Sequence, residues 1–306
     1  MTNSKVILVT GFWPPTNAAD DQGMLAWLRT LQGNHVGPTW NEIVVPNFMG
    51  SDYKIVAVAT EFPGGGAYQK GVNTSWGRGS GLWTVNYQDV STTFWPLAMH
   101  YKPVAILTFS RSGPTNNWIF EIKVRNDVQG AWLQGGGYTY AGVPFVGGAA
   151  NDPAHQAGRP NDNGGPVTDS PPDRNFPSWN LIDGDGLNNV NVRGLSTKST
   201  ELVASATSAI NTPSFGVTAV SEEAAGTGGG KSFVSAFTAY HAVWYQDAFK
   251  SSCQIGFHTH VGYGLTLAQC KRALCIQLRK TIEVLGGTTS GNCPTIPTTP
   301  PTGEEA

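Results

Sequence analysis

VTAVSEEAAGTGGGKSFVSAFTAYHAVWYQDAF, residues 217–249, passes from a short apolar strand through a glycine-rich loop into a helix about four turns long. Phe215, Val217 and Ala219 supply the strand. Gly226 and the run 228–230 break it, because glycine tolerates backbone angles that other residues avoid. From Ser232 onward, Phe233, Phe237, Tyr240, Val243, Trp244 and Ala248 recur at helical spacing. A strand–loop–helix junction gathers backbone N–H groups and the positive end of the helix dipole at one point, which suits an anion or a developing oxyanion. Chemistry is expected there.

Working outward, the same alternation of strand and helix continues on both sides. Residues 5–10 (KVILVT) form a continuous β-branched run, the mark of a buried strand, and lead into Gly11-Phe12-Trp13-Pro14-Pro15, where two prolines forbid an immediate helix. A helix is expected over 20–31, a strand over 53–59 (YKIVAVA), a helix ending near His100, and a buried strand over 103–109 (PVAILTF). Residues 118–124 (WIFEIKV) alternate apolar and polar positions and predict a half-exposed strand. Further helices are expected over 196–212 and 265–285, with a short strand over 254–260 between the glycine-rich region and the last helix. The pattern predicts a three-layer α/β/α sandwich around a twisted, mixed but mostly parallel sheet. Residues 1–287 read as one domain, and residues 288–306 as a Pro/Thr-rich, disordered tail.

Composition removes several functions. The net charge of −2, with only 13% charged residues, gives no electrostatic basis for binding nucleic acid. No apolar run reaches the roughly 20 residues of a membrane span. The start, MTNSKVILVTGF, lacks the apolar core of a secretory signal and points to the cytoplasm, while the low charge suits an exported mature chain. The compartment stays open. Cys253, Cys270, Cys275 and Cys293 match no common zinc spacing, and two buried thiols with one bridge are expected.

Three motifs compete for the chemistry. Residues 225–232 (AGTGGGKS) form a relaxed P-loop ending in Lys231 and Ser232, but no apolar strand ending in Asp follows to hold magnesium. Residues 183–189 (DGDGLNN) miss the EF-hand spacing and read as a turn. His258 and His260 alternate along a strand, so they share a face, yet the sequence nominates no third metal ligand beside them. No metal and no cofactor are expected.

Five blocks, taken in order, resemble the pyroglutamyl-peptidase I family, cysteine peptidases that remove N-terminal pyroglutamate. VILVTGFWP at 6–14 is similar to the family's V-L-V-T-G-F-x-P-F. Phe120-Glu121, with Val124 and Asn126, is similar to its L/V-E-R-V-A-I-N strand, and GRPNDNGGP at 158–166 to A-R-I-P-D-N-x-G-x-x-P. Ala225-Gly226-Thr227, with Phe233-Val234-Ser235 and Tyr240, resembles A-G-T-Y-V-C-N-H-x-x-Y. Gly256-Phe257, with His260-Val261 and Tyr263, resembles G-F-I-H-V-P-Y.

The resemblance implies a catalytic Glu at Glu121, a catalytic His at His260 and a nucleophile at Ser235, where the family has cysteine. His258 is the alternative base, because the gap before the histidine is one residue longer than in the family. Ser232 is the alternative nucleophile, because the loop carries an insertion. A serine hydroxyl needs a base to take its proton, so the implied machinery is a Ser-His-Glu triad. The implied substrate contacts are Phe12, Arg111, Arg159, Gly226 and Thr227. Pro15 replaces the second phenylalanine of the family's first turn, and Arg111 stands where the family's substrate-reading Gln lies. Exchanging an amide for a guanidinium favours an anionic acceptor.

An aromatic-bearing insertion at about 127–157 adjoins the implied site. The expected function is therefore an amide or lactam hydrolase of altered specificity, acting on a small molecule or peptide. The alternatives are an inactive relative that binds a ligand in the same pocket, or a P-loop nucleotide-binding protein. The oligomeric state stays open.

Overall fold

The computed structural model describes residues 5–11, 43–59, 94, 97–111, 115–125, 139–140, 143–144, 192–211, 215–223, 234–262 and 264–295. In chain order these hold β1 (Lys5–Gly11), β2 (Ile43–Val45), β3 (Tyr53–Ala59), β4 (Ala105–Arg111), β5 (Asn117–Arg125), β6 (Thr139–Tyr140), β7 (Val143–Pro144) and β8 (Val192–Gly194). Then come α1 (Thr197–Ile210), β9 (Thr218–Glu223), α2 (Val234–Ala248), β10 (Ile255–Val261) and α3 (Leu267–Val284). Residues 97–101 are also helical. The helix expected over 20–31 lies outside the described residues.

The main sheet has eight strands in the order β2-β3-β1-β4-β10-β5-β8, with β9 paired to β5 as well. The pairs β1/β3, β1/β4, β4/β10 and β5/β9 are parallel, and β2/β3, β5/β10 and β5/β8 are antiparallel. β6 and β7 form a separate small hairpin. The β-branched runs become β1 and β3 because a parallel strand is covered on both faces and needs apolar side chains on each. β4 begins two residues later than the sequence predicts, so it carries Ser110 and Arg111 at its carboxyl end.

Helices cover both faces, which makes the molecule a mixed, mostly parallel α/β/α sandwich. On one face Ile7, Val9, Leu107, Phe120 and Phe257 join Leu202 and Ile210 of α1 and Leu274, Leu278 and Ile282 of α3 in one cluster. A polar chain crosses this core: Trp118 Nε1 donates to Gln277 Oε1 (2.7 Å), and Gln277 Nε2 donates to Thr259 Oγ1 (3.2 Å). Because each buried polar group has a partner, the chain stabilises the packing rather than weakening it. α3 starts at a capping box, in which Thr266 Oγ1 accepts from Gln269 N and Gln269 Oε1 accepts from Thr266 N.

On the opposite face α2 lies directly on β10. A Cβ added at Gly256 would stand 2.4 Å from the Ala242 carbonyl oxygen and 2.9 Å from Gln246 Cβ. Only glycine admits that approach. Tyr245 Oη donates to the Ala98 carbonyl (3.2 Å), tying α2 to the helical turn at 97–101. No helix among the described residues is long and apolar enough to cross a membrane.

One expectation changes. β5 is more buried than a half-exposed strand over its first part, where Trp118, Ile119, Phe120 and Glu121 are all buried, and it opens to solvent at Lys123. The alternation in WIFEIKV is real and Lys123 is exposed, but Glu121 on the same side is buried beside His258 and His260. Residues 288–295, read from sequence as part of the tail, are held against the domain. Cys293 is disulfide-bonded to Cys275 of α3, Ser290 bonds to the Met49 carbonyl, and Arg272 reaches the Pro294 carbonyl. Residues 296–306 lie outside the described residues.

The bridge joins positions 18 apart in sequence, while Cys253 and Cys270 are buried thiols. By the loop-closure relation, a bridge of that span contributes about 3 kcal/mol. Thermal melts with and without reductant check this. A lower midpoint is expected on reduction and in Cys293→Ser, with no further reductant effect in the variant.

Candidate active site

Beyond its apolar start, the face of the sheet under α2 turns polar toward the carboxyl ends of the parallel strands. Alternation puts every second residue of a strand on one face, and register decides which of them meet. Thr108 pairs with His258, Ser110 with His260, and His258 with Glu121 across the next strand. β4, β10 and β5 therefore bring a hydroxyl pair, an imidazole pair and a carboxyl group to one place. In open α/β sheets, the crevice beyond the carboxyl ends of the strands is the usual binding position.

His258 is fully buried and bonded on both ring nitrogens. Thr108 Oγ1 lies 2.8 Å from Nδ1 and Ser110 Oγ 2.7 Å from Nε2. The Thr108 hydroxyl donates its single proton to the Phe257 carbonyl (3.2 Å), so it accepts from His258 Nδ1–H. This assigns the lone pair to Nε2, which accepts from the Ser110 hydroxyl. Burial, followed by the neighbouring His260, holds His258 well below the usual imidazole range, so the ring is neutral.

His260 stacks edge-on against His258, with ring centroids 4.8 Å apart. Its Nε2 lies 3.1 Å from Glu121 Oε1, while its side chain keeps 18% exposure against 4% for Glu121. The distance suits an ion pair. Yet no hydrogen bond joins the two atoms: Nε2 of His260 and Oε2 of Glu121 are both buried without a hydrogen-bond partner among the described residues. The approach is therefore off the N–H axis, and it does not offset the cost of burying charge. Burial, and then the charge of Glu222, push Glu121 up to about 8, and burial pulls His260 down to about 4. At neutral pH the pair consists of two uncharged groups.

Of the residues expected from sequence, Glu121, His260 and His258 come together. Ser235 is the second residue of α2, and Arg111 ends β4, its backbone paired with Val261. Phe12, Arg159, Gly226, Thr227, Ser232 and the Lys231 loop lie outside the described residues.

Thr108 and Ser110 went unnoticed in the sequence. Their signal was two polar residues at alternate positions of an otherwise apolar strand, the same spacing as His258 and His260. The structure also supplies the third potential metal ligand that the sequence lacked. Ligand atoms of Glu121, His258 and His260 all lie within 4.8 Å of one another.

No protein-family model matches the chain, and no curated protein matches it. Among solved structures it is similar to the pyroglutamyl peptidase I from Bacillus amyloliquefaciens, at 14% identity over 91% of this chain and 95% of that one, with a TM-score of 0.46. It is likewise similar to the pyrrolidone carboxyl peptidase from Thermococcus litoralis, at 9% identity over 96% and 99% of the two chains, TM-score 0.46. The pyrrolidone carboxyl peptidase of Pyrococcus furiosus gives 11% identity, 92% and 99% coverage, and again 0.46. Identities and TM-scores this low assign no role to any residue of the site.

Proposed function

We propose that the protein is an amide or lactam hydrolase in which Ser235 attacks the substrate carbonyl, His260 moves the proton and Glu121 orients His260. The observation that carries this reading is the 3.1 Å approach of His260 to Glu121 on the sheet face that α2 covers. With Nε2 turned to Glu121, Nδ1 is the nitrogen left for the nucleophile.

The course of α2 supports Ser235 as that nucleophile. The helix packs on Gly256 at Ala242 and Gln246, and a connection of only six residues, 249–254, joins its end to β10, which favours a course antiparallel to the strand. From position 242 back to 235 it rises about 10 Å. From Gly256 to His260 the strand rises about 13 Å. The first turn of α2 and the two histidines thus stand at similar heights above the sheet, and position 235 shares a helix row with 239, 242 and 246.

In the first half-reaction the Ser235 oxygen bonds to the carbonyl carbon. His260 takes the hydroxyl proton and returns it to the leaving amine as the C–N bond breaks. Water then releases the acyl group by the reverse proton route. Backbone N–H groups of the 226–230 loop, together with the start of α2, are the proposed oxyanion donors. Arg111 favours substrates that carry an anionic group, and the insertion at about 127–157 shapes specificity away from plain pyroglutamyl peptides.

A fluorophosphonate probe tests the reading when applied to the full chain in the presence of EDTA. Labelling that disappears in Ser235→Ala, together with turnover on a panel of lactams and amides, is the expected outcome. If nothing is labelled and nothing in the panel is cleaved, the hydrolase reading fails and ligand binding without catalysis takes its place. ATP-dependent thermal stabilisation that vanishes in Lys231→Ala would instead point to the P-loop.

A further inference from the structure

We propose that Glu121, His258 and His260 form a binding site for one zinc-like divalent cation. His260 Nε2 stands close to Glu121 Oε1 without a hydrogen bond to it, as two ligands of one ion do. Nε2 and Oε1 are 3.1 Å apart. Two atoms each about 2.1 Å from one tetrahedral ion stand about 3.4 Å apart. Both Nε2 of His260 and the second carboxyl oxygen of Glu121 are buried without hydrogen-bond partners among the described residues. Buried polar atoms of native proteins are seldom left so, and an ion is one of the standard ways to satisfy them.

The third ligand is prepared by its second contact. Thr108 accepts from His258 Nδ1–H, which keeps the lone pair on Nε2 and holds the ring in place. A partner on the far nitrogen is what metal-ligating histidines ordinarily have. The Ser110 hydroxyl now occupies Nε2 of His258 and gives way to the ion. The widest separation within the group is 4.8 Å. In the tetrahedral arrangement two ligand atoms stand about 3.4 Å apart, so the widest pair closes by about 1.4 Å on binding. His260, the partly exposed member, lies on the entry side. Two imidazoles and one carboxylate select zinc and late first-row metals over magnesium or calcium.

This proposal goes beyond the hydrolase reading and does not rest on it, since cation binding requires no nucleophile. Calorimetric titration of the full chain with zinc chloride is expected to show one ion per chain, with binding unchanged in Ser235→Ala. His260→Ala and Glu121→Gln should each weaken it by at least about tenfold, and Thr108→Val, which removes the acceptor for Nδ1 together with the bond to the Phe257 carbonyl, by about tenfold. Cobalt(II) loaded into the unsubstituted protein should give the intense visible bands of a four- or five-coordinate nitrogen–oxygen site, a readout that holds even if a variant fails to fold. Absence of binding, absence of those bands, or affinity unchanged in His260→Ala and Glu121→Gln overturns the proposal. Labelling of Ser235 in EDTA is unaffected by any of these results, so the two readings fail separately.

Discussion

His260→Ala is expected to lower kcat/KM by about a thousandfold on whichever lactam or amide the panel identifies, with little change in melting temperature. A positioned general base contributes on the order of 10²–10⁴ to such reactions. His260 approaches the buried carboxyl group at 3.1 Å while keeping its edge open to solvent. Among the described residues Nε2 of this partly exposed ring has no hydrogen bond, so removing the ring costs none there. His258→Ala should behave oppositely. It takes the Ser110 hydroxyl's partner away in a site shielded from water, at about 1–3 kcal/mol, while Thr108 keeps its bond to the Phe257 carbonyl. Its first effect is therefore on stability. Steady-state kinetics in EDTA and thermal melts on both variants separate the roles. Were His258→Ala inactive at an unchanged melting temperature while His260→Ala kept its activity, the proton would belong to His258.

Gly256→Ala should cost about 3 kcal/mol of stability, at the upper end of overpacking penalties. The added methyl would stand 2.4 Å from the Ala242 carbonyl oxygen, 2.9 Å from Gln246 Cβ and 3.0 Å from the Ala242 carbonyl carbon. Two of those atoms are backbone, so no side-chain rotation relieves the contact. α2 has to lift from β10 or the strand has to bend. Because α2 carries Ser235 in its first turn and β10 carries both histidines, the same shift should also reduce turnover in the molecules that remain folded. Chemical denaturation and labelling with the fluorophosphonate probe measure the two effects. A variant as stable and as readily labelled as the parent would show that α2 is not seated on Gly256.

The sequence by itself determined the elements whose cause is local. β1 and β3 follow from β-branched runs covered on both faces, α1 from its Ser196 cap, and α3 from the Thr266–Gln269 capping box and an apolar stripe at helical spacing. His258 and His260 were bound to share a face, since strand side chains alternate. Glu121 and His260 became candidates through the resemblance alone. Tertiary structure decided what depends on which strands become neighbours. β10 lies between β4 and β5 although well over a hundred residues of chain separate it from either, and no local pattern encodes such a pairing. That insertion set Glu121 beside the two histidines, where burial makes it a neutral acid, and placed Thr108 and Ser110 against His258. It also brought a third potential ligand to two histidines that, in sequence, had none. Periodicity orients a side chain along its own strand, whereas register across the sheet chooses its partners, and here those partners set its charge.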